Sequence, residues 1–188
     1  MEHRTTDQLR AAVDEVRGSP SDDGLVAMIA RRPEPGAREV LEEGALDPVE
    51  GLVGDTWRTR GSSRTDDGRA HPGMQLTLMN VRAADLIAVD PARRALAGDQ
   101  LYVDLDLSAT NLPPGTRLSV GAAVVEITAE PHTGCAKFAE RFGRDAVRFV
   151  NSPVGRELSL RGVNARVLEG GRIAVGDAVR KVSEPEAL

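Results

Sequence analysis

The sequence runs to 188 residues, too short for two ordinary domains and long enough to bury one core. Hydrophobic residues make up 40% and charged residues 28%, with no apolar run of membrane-spanning length, so a soluble globular domain is expected. A net charge of −5 and a pI near 5.3 exclude the broad basic footprint by which nucleic-acid-binding proteins displace counterions from phosphates.

The first residues carry charges of both signs with no apolar stretch behind them, unlike a secretory leader, and point to a cytoplasmic protein. Thr5-Thr6-Asp7-Gln8 has the form of a capping box, and Leu9, Ala12, Val13 and Val16 then share one helical face until Gly18. Residues 1–24 are therefore expected as an N-terminal helix and linker that packs on the main domain or serves a partner. Residues 25–188 are expected as the main domain.

Residues 25–30 form an apolar run of strand length, ended by Pro33, Pro35 and Gly36. Residues 37–44 read as a short helix, and residues 51–73 as a long polar loop in which His71 and Asp55 could face a substrate mouth or simply brace turns. Residues 75–79 alternate as a strand, and residues 81–97 have helical composition broken near Asp90-Pro91. Leu101, Val103, Leu105 and Leu107 alternate with Tyr102, Asp104 and Asp106 as in a half-buried strand. Two more strands are expected at 117–120 and 123–128, broken at Gly121. Residues 136–150 read as a helix that Gly143 divides, with Phe138 and Phe142 in the core. Residues 163–175 suggest a hairpin around Glu169-Gly170-Gly171, before a last strand that runs to Val182. Many short strands and few helices indicate a β-rich α+β domain, with a barrel-type mixed sheet capped by short helices.

Cys135 is the only cysteine, so it can close no internal disulfide and cannot belong to a multi-cysteine zinc site. It follows Pro131-His132-Thr133-Gly134 and precedes the expected helix, where the backbone dipole together with Lys137 and Arg141 would favour the thiolate. A free cysteine in a core is the plainer alternative. His132, three positions earlier, is placed to donate a proton, to tune the thiolate or to cap a turn. A Cys–His hydrolase built from this pair lacks an orienting carboxylate in the sequence. Lysine occurs only at 137 and 181, so the abundance of arginine reads as coding bias and not by itself as a phosphate site.

In order along the chain stand Gly51-Leu-Val-Gly-Asp55, His71-Pro-Gly73, Asn111-Leu112, Cys135-Ala-Lys137-Phe138, Arg141-Phe142-Gly143, Arg161-Gly-Val-Asn-Ala-Arg166 and Gly176-Asp177. In this order and spacing, residues 25–182 resemble a MOSC domain, the module named for the C-terminal part of molybdenum cofactor sulfurases. The resemblance implies a β-rich fold and places Cys135 at the family's near-universal cysteine. It further implies the molybdenum cofactor, molybdopterin, with Cys135 as metal ligand in an oxidoreductase that reduces N-hydroxylated compounds, or else a sulfur carrier holding a persulfide on Cys135. Candidate contacts to the anionic pterin phosphate are Asn111, Lys137, Arg141, Arg161 and Arg166. The chain departs from the family pattern at His132-Thr133-Gly134, at Ala136 and at Pro72. The expected partners are a small-molecule substrate and a separate electron-donor or sulfur-donor protein, with no nucleic acid and no membrane; pairing as a homodimer stays open. No pyridoxal phosphate is expected, because that cofactor belongs to an aminotransferase-like domain absent from this sequence.

Overall fold

In a computed structural model of the chain, residues 3–182 are described. The limits of the expected units at residues 1–2 and 183–188 lie outside them. Thr5 caps α1 (Thr6–Ala11) by accepting from the Gln8 N–H, while the Gln8 side chain accepts from the Thr5 N–H. A second short helix, α2 (Val13–Arg17), follows directly. Leu9 and Val16 are buried against the rest of the molecule, so this segment docks on its own chain.

A closed barrel of seven strands forms the centre. Around it run β1 (Gly24–Arg31), β6 (Leu101–Asp104), β5 (Leu76–Asn80), β9 (Val163–Glu169), β8 (Ala123–Ile127), β7 (Arg117–Val120) and β11 (Ala178–Lys181), with β11 closing onto β1. The β5–β6 pair is parallel and the other pairs are antiparallel. Two apolar layers account for the closure. Leu76, Leu78, Leu101, Val103 and Val125 fill the barrel, while Met79 and Tyr102 face outward into a second core beneath the helices. That is why Tyr102 is buried on the outward face of the stretch 101–107, where Asp104 and Asp106 are half-buried as expected. In β1 the register shifts between Val26 and Met28, and this bulge lets both Val26 and Ile29 point inward.

Helix α4 (Val81–Ala88), a 3-10 segment (Pro91–Ala97) and α5 (Ala136–Val150) supply the outer core, where the Phe138 and Phe142 rings lie 4.9 Å apart. Gly143 breaks the helical dihedrals of α5, with φ 88° and ψ 164°. A short α6 (Pro153–Glu157), capped by Ser152, follows. Two expectations are corrected. The helix expected at 37–44 is β2 (Glu39–Leu41), which pairs with β1, running into β3 (Glu43–Asp47). The hairpin expected at 163–175 does not form: β10 (Gly171–Ala174) leaves β9 and pairs with β3, which also pairs with β4 (Gly51–Leu52), making a separate three-stranded sheet. No helix among the described residues is long and apolar enough to cross a membrane.

Candidate functional site

The long loop after β4 folds back on itself. Its short helix α3 (Trp57–Arg60) is preceded by Asp55, whose carboxylate is fully buried. Oδ1 of Asp55 accepts from the Trp57 N–H at 2.8 Å, and the two carboxylate oxygens together accept the Arg32 guanidinium in a two-pronged pair. Burial pushes the Asp55 carboxyl up, but the Arg32 bonds and the backbone N–H donors outweigh it and hold the group below the usual carboxylate range. Asp55 is thus a structural brace for Arg32. Beyond α3 the loop reaches a 3-10 turn (Pro72–Met74) where His71 Nδ1 accepts from the Gly73 N–H, which leaves Nε2 3.7 Å from the Glu130 carboxylate. Arg64, from the same loop, approaches Glu130 at 3.6 Å.

Between this loop and the barrel lies a cavity of about 170 Å³ with Arg32, Trp57, Arg60, His71, Arg161 and Asn164 in its wall. Burial lowers the Arg60 pKa, and the nearby Arg32 charge adds to the effect; Arg38 is lowered in the same way by burial and then by Arg141 and Arg32. Cationic charge is therefore concentrated here beyond what Asp55 and Asp99 neutralise. Several buried polar atoms around the cavity have no hydrogen-bond partner: Trp57 Nε1, Arg161 Nε, His132 Nδ1 and Asn164 Oδ1. Such atoms are rare in folded proteins and mark a place where a ligand or water completes the bonding.

Arg161 enters from the turn before β9. Its guanidinium donates to Asp99 Oδ2 at 2.6 Å and to the Ala97 carbonyl at 2.9 Å, and lies 5.0 Å from the centre of the Phe138 ring. Asp99 is fully buried, and its other oxygen has no hydrogen bond and sits 3.6 Å from His132 Nδ1. Gly162 makes the approach possible: its φ is +103°, and a Cβ there would strike the Leu78 carbonyl and crowd His132. The His132 side chain is 12% exposed, and burial, with the Arg161 charge next, pushes its pKa down to about 3 despite Asp99. Near neutral pH the imidazole is uncharged.

A second cavity of about 270 Å³ shares His132, Arg161 and Asn164 with the first. Leu112, Pro114, Ile127, Pro131, Val150 and Val163 give it a largely apolar wall.

Cys135 is the N-cap residue of α5, exposed, with no hydrogen bond from its side chain to the helix. The segment leading to it is held by Asn151, whose side chain accepts from the Gly134 N–H at 2.9 Å and donates to the Gly134 carbonyl at 3.0 Å. Cys135 lines neither cavity, although His132, Thr133 and Asn151 beside it do. Of the other residues singled out in the sequence, Arg161 and His71 reach the cavities, and Asp55 does not. Lys137 is exposed, and Arg141 donates to the Leu96 carbonyl at 2.6 Å. Arg166 pairs with Glu126 on the outer face of β9. Asn111 is engaged with the Ser21 and Asp106 carbonyls and with Lys181.

Sequence reasoning did not single out Arg32, Trp57, Arg60, Asp99 and Asn164. None of them carried a distinctive signal, although Asn164 falls within the Arg161–Arg166 stretch noted in the sequence. Among the described residues no three His, Cys, Asp or Glu side chains cluster as metal ligands.

The YuaD protein from Bacillus subtilis has a similar fold, with a TM-score of 0.64 and 16% identity over 86% of this chain and 97% of that one. YiiM from Escherichia coli is similar at a TM-score of 0.53 and 17% identity, over 89% of this chain and 72% of the other. YiiM from Geobacillus stearothermophilus gives 0.52 and 14%, over 85% and 75%. No curated protein matches the sequence. A family model described as MOSC domain matches residues 79–180, from the end of β5 through β11 and including Cys135, Arg161 and Asn164. The chain belongs to the MOSC domain family.

Proposed function

We propose that this protein binds an anionic, molybdenum-carrying pterin cofactor in the arginine-lined cavity, with Cys135 as thiolate ligand to the metal, and reduces N-hydroxylated compounds. The observation that carries this reading is the set of unpartnered buried atoms around a cation-rich cavity. The residues present fit such a group: Arg32 and Arg60 bring charge for a phosphate, and Trp57 Nε1 and Arg161 Nε bring free N–H donors. When bound, the cofactor supplies a metal centre able to pass two electrons.

The chain's own residues then have distinct tasks. Arginines offset the ligand's charge, and the Asp99–Arg161 pair fixes the wall against which it rests. Cys135 offers one soft, exposed sulfur, the ligand type that suits a thiolate-bound metal. His132, with its pKa pushed down to about 3, is a neutral imidazole at neutral pH and not an imidazolium acid, so it serves as a hydrogen-bonding group and the protons come from water. Cleaving the N–O bond of a hydroxylamine consumes two electrons and two protons and releases water, so a separate electron-donor protein completes the reaction.

One observation favours a second reading. Cys135 is exposed and lines neither cavity, which suits a sulfur carrier that presents a persulfide to a partner protein. Elemental analysis of protein from a molybdate-fed host with intact cofactor synthesis separates the two. The first reading expects molybdenum in the wild type and its loss from Cys135→Ala; metal-free wild-type protein would sink it. An extra sulfur on Cys135 without bound pterin would assign the carrier role.

A further inference from the structure

The second cavity differs in chemistry from the first, although they share a wall. Its apolar lining is bordered by charges that are already matched: Arg161 by Asp99, and Glu130 by Arg64. Arg156 is the remaining lining charge, and it is exposed to solvent with its Nε donating to the Asn151 carbonyl. An anion gains little in such a chamber, whereas a neutral apolar body gains by leaving water.

Asn164, fully buried in the shared wall, supplies the polar contact. Its Nδ2 donates to the Glu130 carbonyl at 3.0 Å, which fixes the amide orientation and leaves Oδ1 as the unpartnered atom. An acceptor without a donor selects a ligand that brings an N–H group. Thr133 and Asn151 on the rim connect the chamber to the segment that carries Cys135.

We infer that this chamber binds an uncharged, mostly apolar small molecule that donates an N–H to Asn164 Oδ1. This deepens the proposed function by giving the class of substrate, and it rests on that reading only for the reaction the bound molecule undergoes. Anionic forms such as nucleotides would be excluded from the chamber while their neutral parent compounds enter.

The test uses the full-length protein as purified and three probes: benzamide, which is neutral and has N–H donors; methyl benzoate, neutral without them; and benzoate, an anion. Binding is followed by NMR line shifts of protein amides. Benzamide is expected to bind, shifting amides around Thr128, Thr133 and Gly162, with methyl benzoate and benzoate roughly tenfold or more weaker, as for the loss of one buried hydrogen bond. Ala129 is an exposed residue of the lining, so Ala129→Phe fills the chamber without entering the core. That variant is expected to keep the wild-type melting temperature and lose benzamide binding. The inference is overturned if the wild type does not bind benzamide, if benzoate binds as tightly, or if Ala129→Phe binds benzamide unchanged. Molybdenum content is a separate measurement, so benzamide binding by protein that never acquires metal would leave the chamber standing and remove the cofactor reading.

Discussion

Asp99 and Arg161 form a buried ion pair at the wall of both cavities, with side chains 0% and 9% exposed. Removing one partner of such a pair strands the other charge away from water, so Asp99→Ala is expected to cost about 3–5 kcal/mol in urea unfolding. Adding Arg161→Met to that variant should restore a large part of the loss, because the stranded charge is then gone. Neither role was legible in the sequence for Asp99, which shows there only as an acidic residue after a glycine. Its importance arises because the 3-10 segment before β6 and the turn before β9 meet in space. Arg161 stood out only through family resemblance, and Arg32 and Arg60 were hidden among many arginines. Cys135 is exposed, unlike the core cysteine that the sequence offered as the plainer alternative.

At the level of elements, local signals succeeded where the chain controls its own conformation. Gly143 is the clearest instance: it was expected to divide a helix, and it adopts dihedrals that only glycine visits readily. Gly143→Ala should therefore lower stability by about 1–3 kcal/mol in thermal unfolding, with the new methyl also pressing on His3. Thr5, the twin phenylalanines and most strands followed the same local logic. Residues 37–44 did not, because helix-favouring Glu, Ala and Leu were overruled by pairing with the free edge of β1 and with β10. The glycines at 170 and 171 gave a hairpin signal, yet the chain turns there into another sheet. That choice depends on partners far along the sequence, which no short window contains.

Across the whole molecule, acid should weaken the fold through His132. Its folded pKa of about 3 lies below the usual histidine value of about 6.5, so between these limits the unfolded chain binds a proton that the folded chain refuses. Stability is full above about pH 6.5 and falls by up to about 1.4 kcal/mol per pH unit below it. Asp55, held low by Arg32, acts in the same direction as pH falls further. Urea titrations at pH 7 and pH 5 should show this decline, with a shallower slope for His132→Gln; equal slopes would contradict it. The barrel itself was legible as a class, from many short strands, but its closure was not, since the seam joins Gly24 and Leu25 to Val179 and Ala178. Arg180 and the Lys181 N–H add bonds to Asp23 and Asp22 across the same seam. This late stitch has a consequence for biosynthesis. While β11 is still within the ribosome, the nascent chain has unpaired edges on β1 and β7, which invite sticking to other chains. Closure must wait for the most distant strand pairing among the described residues, a non-local contact of the kind that slows folding.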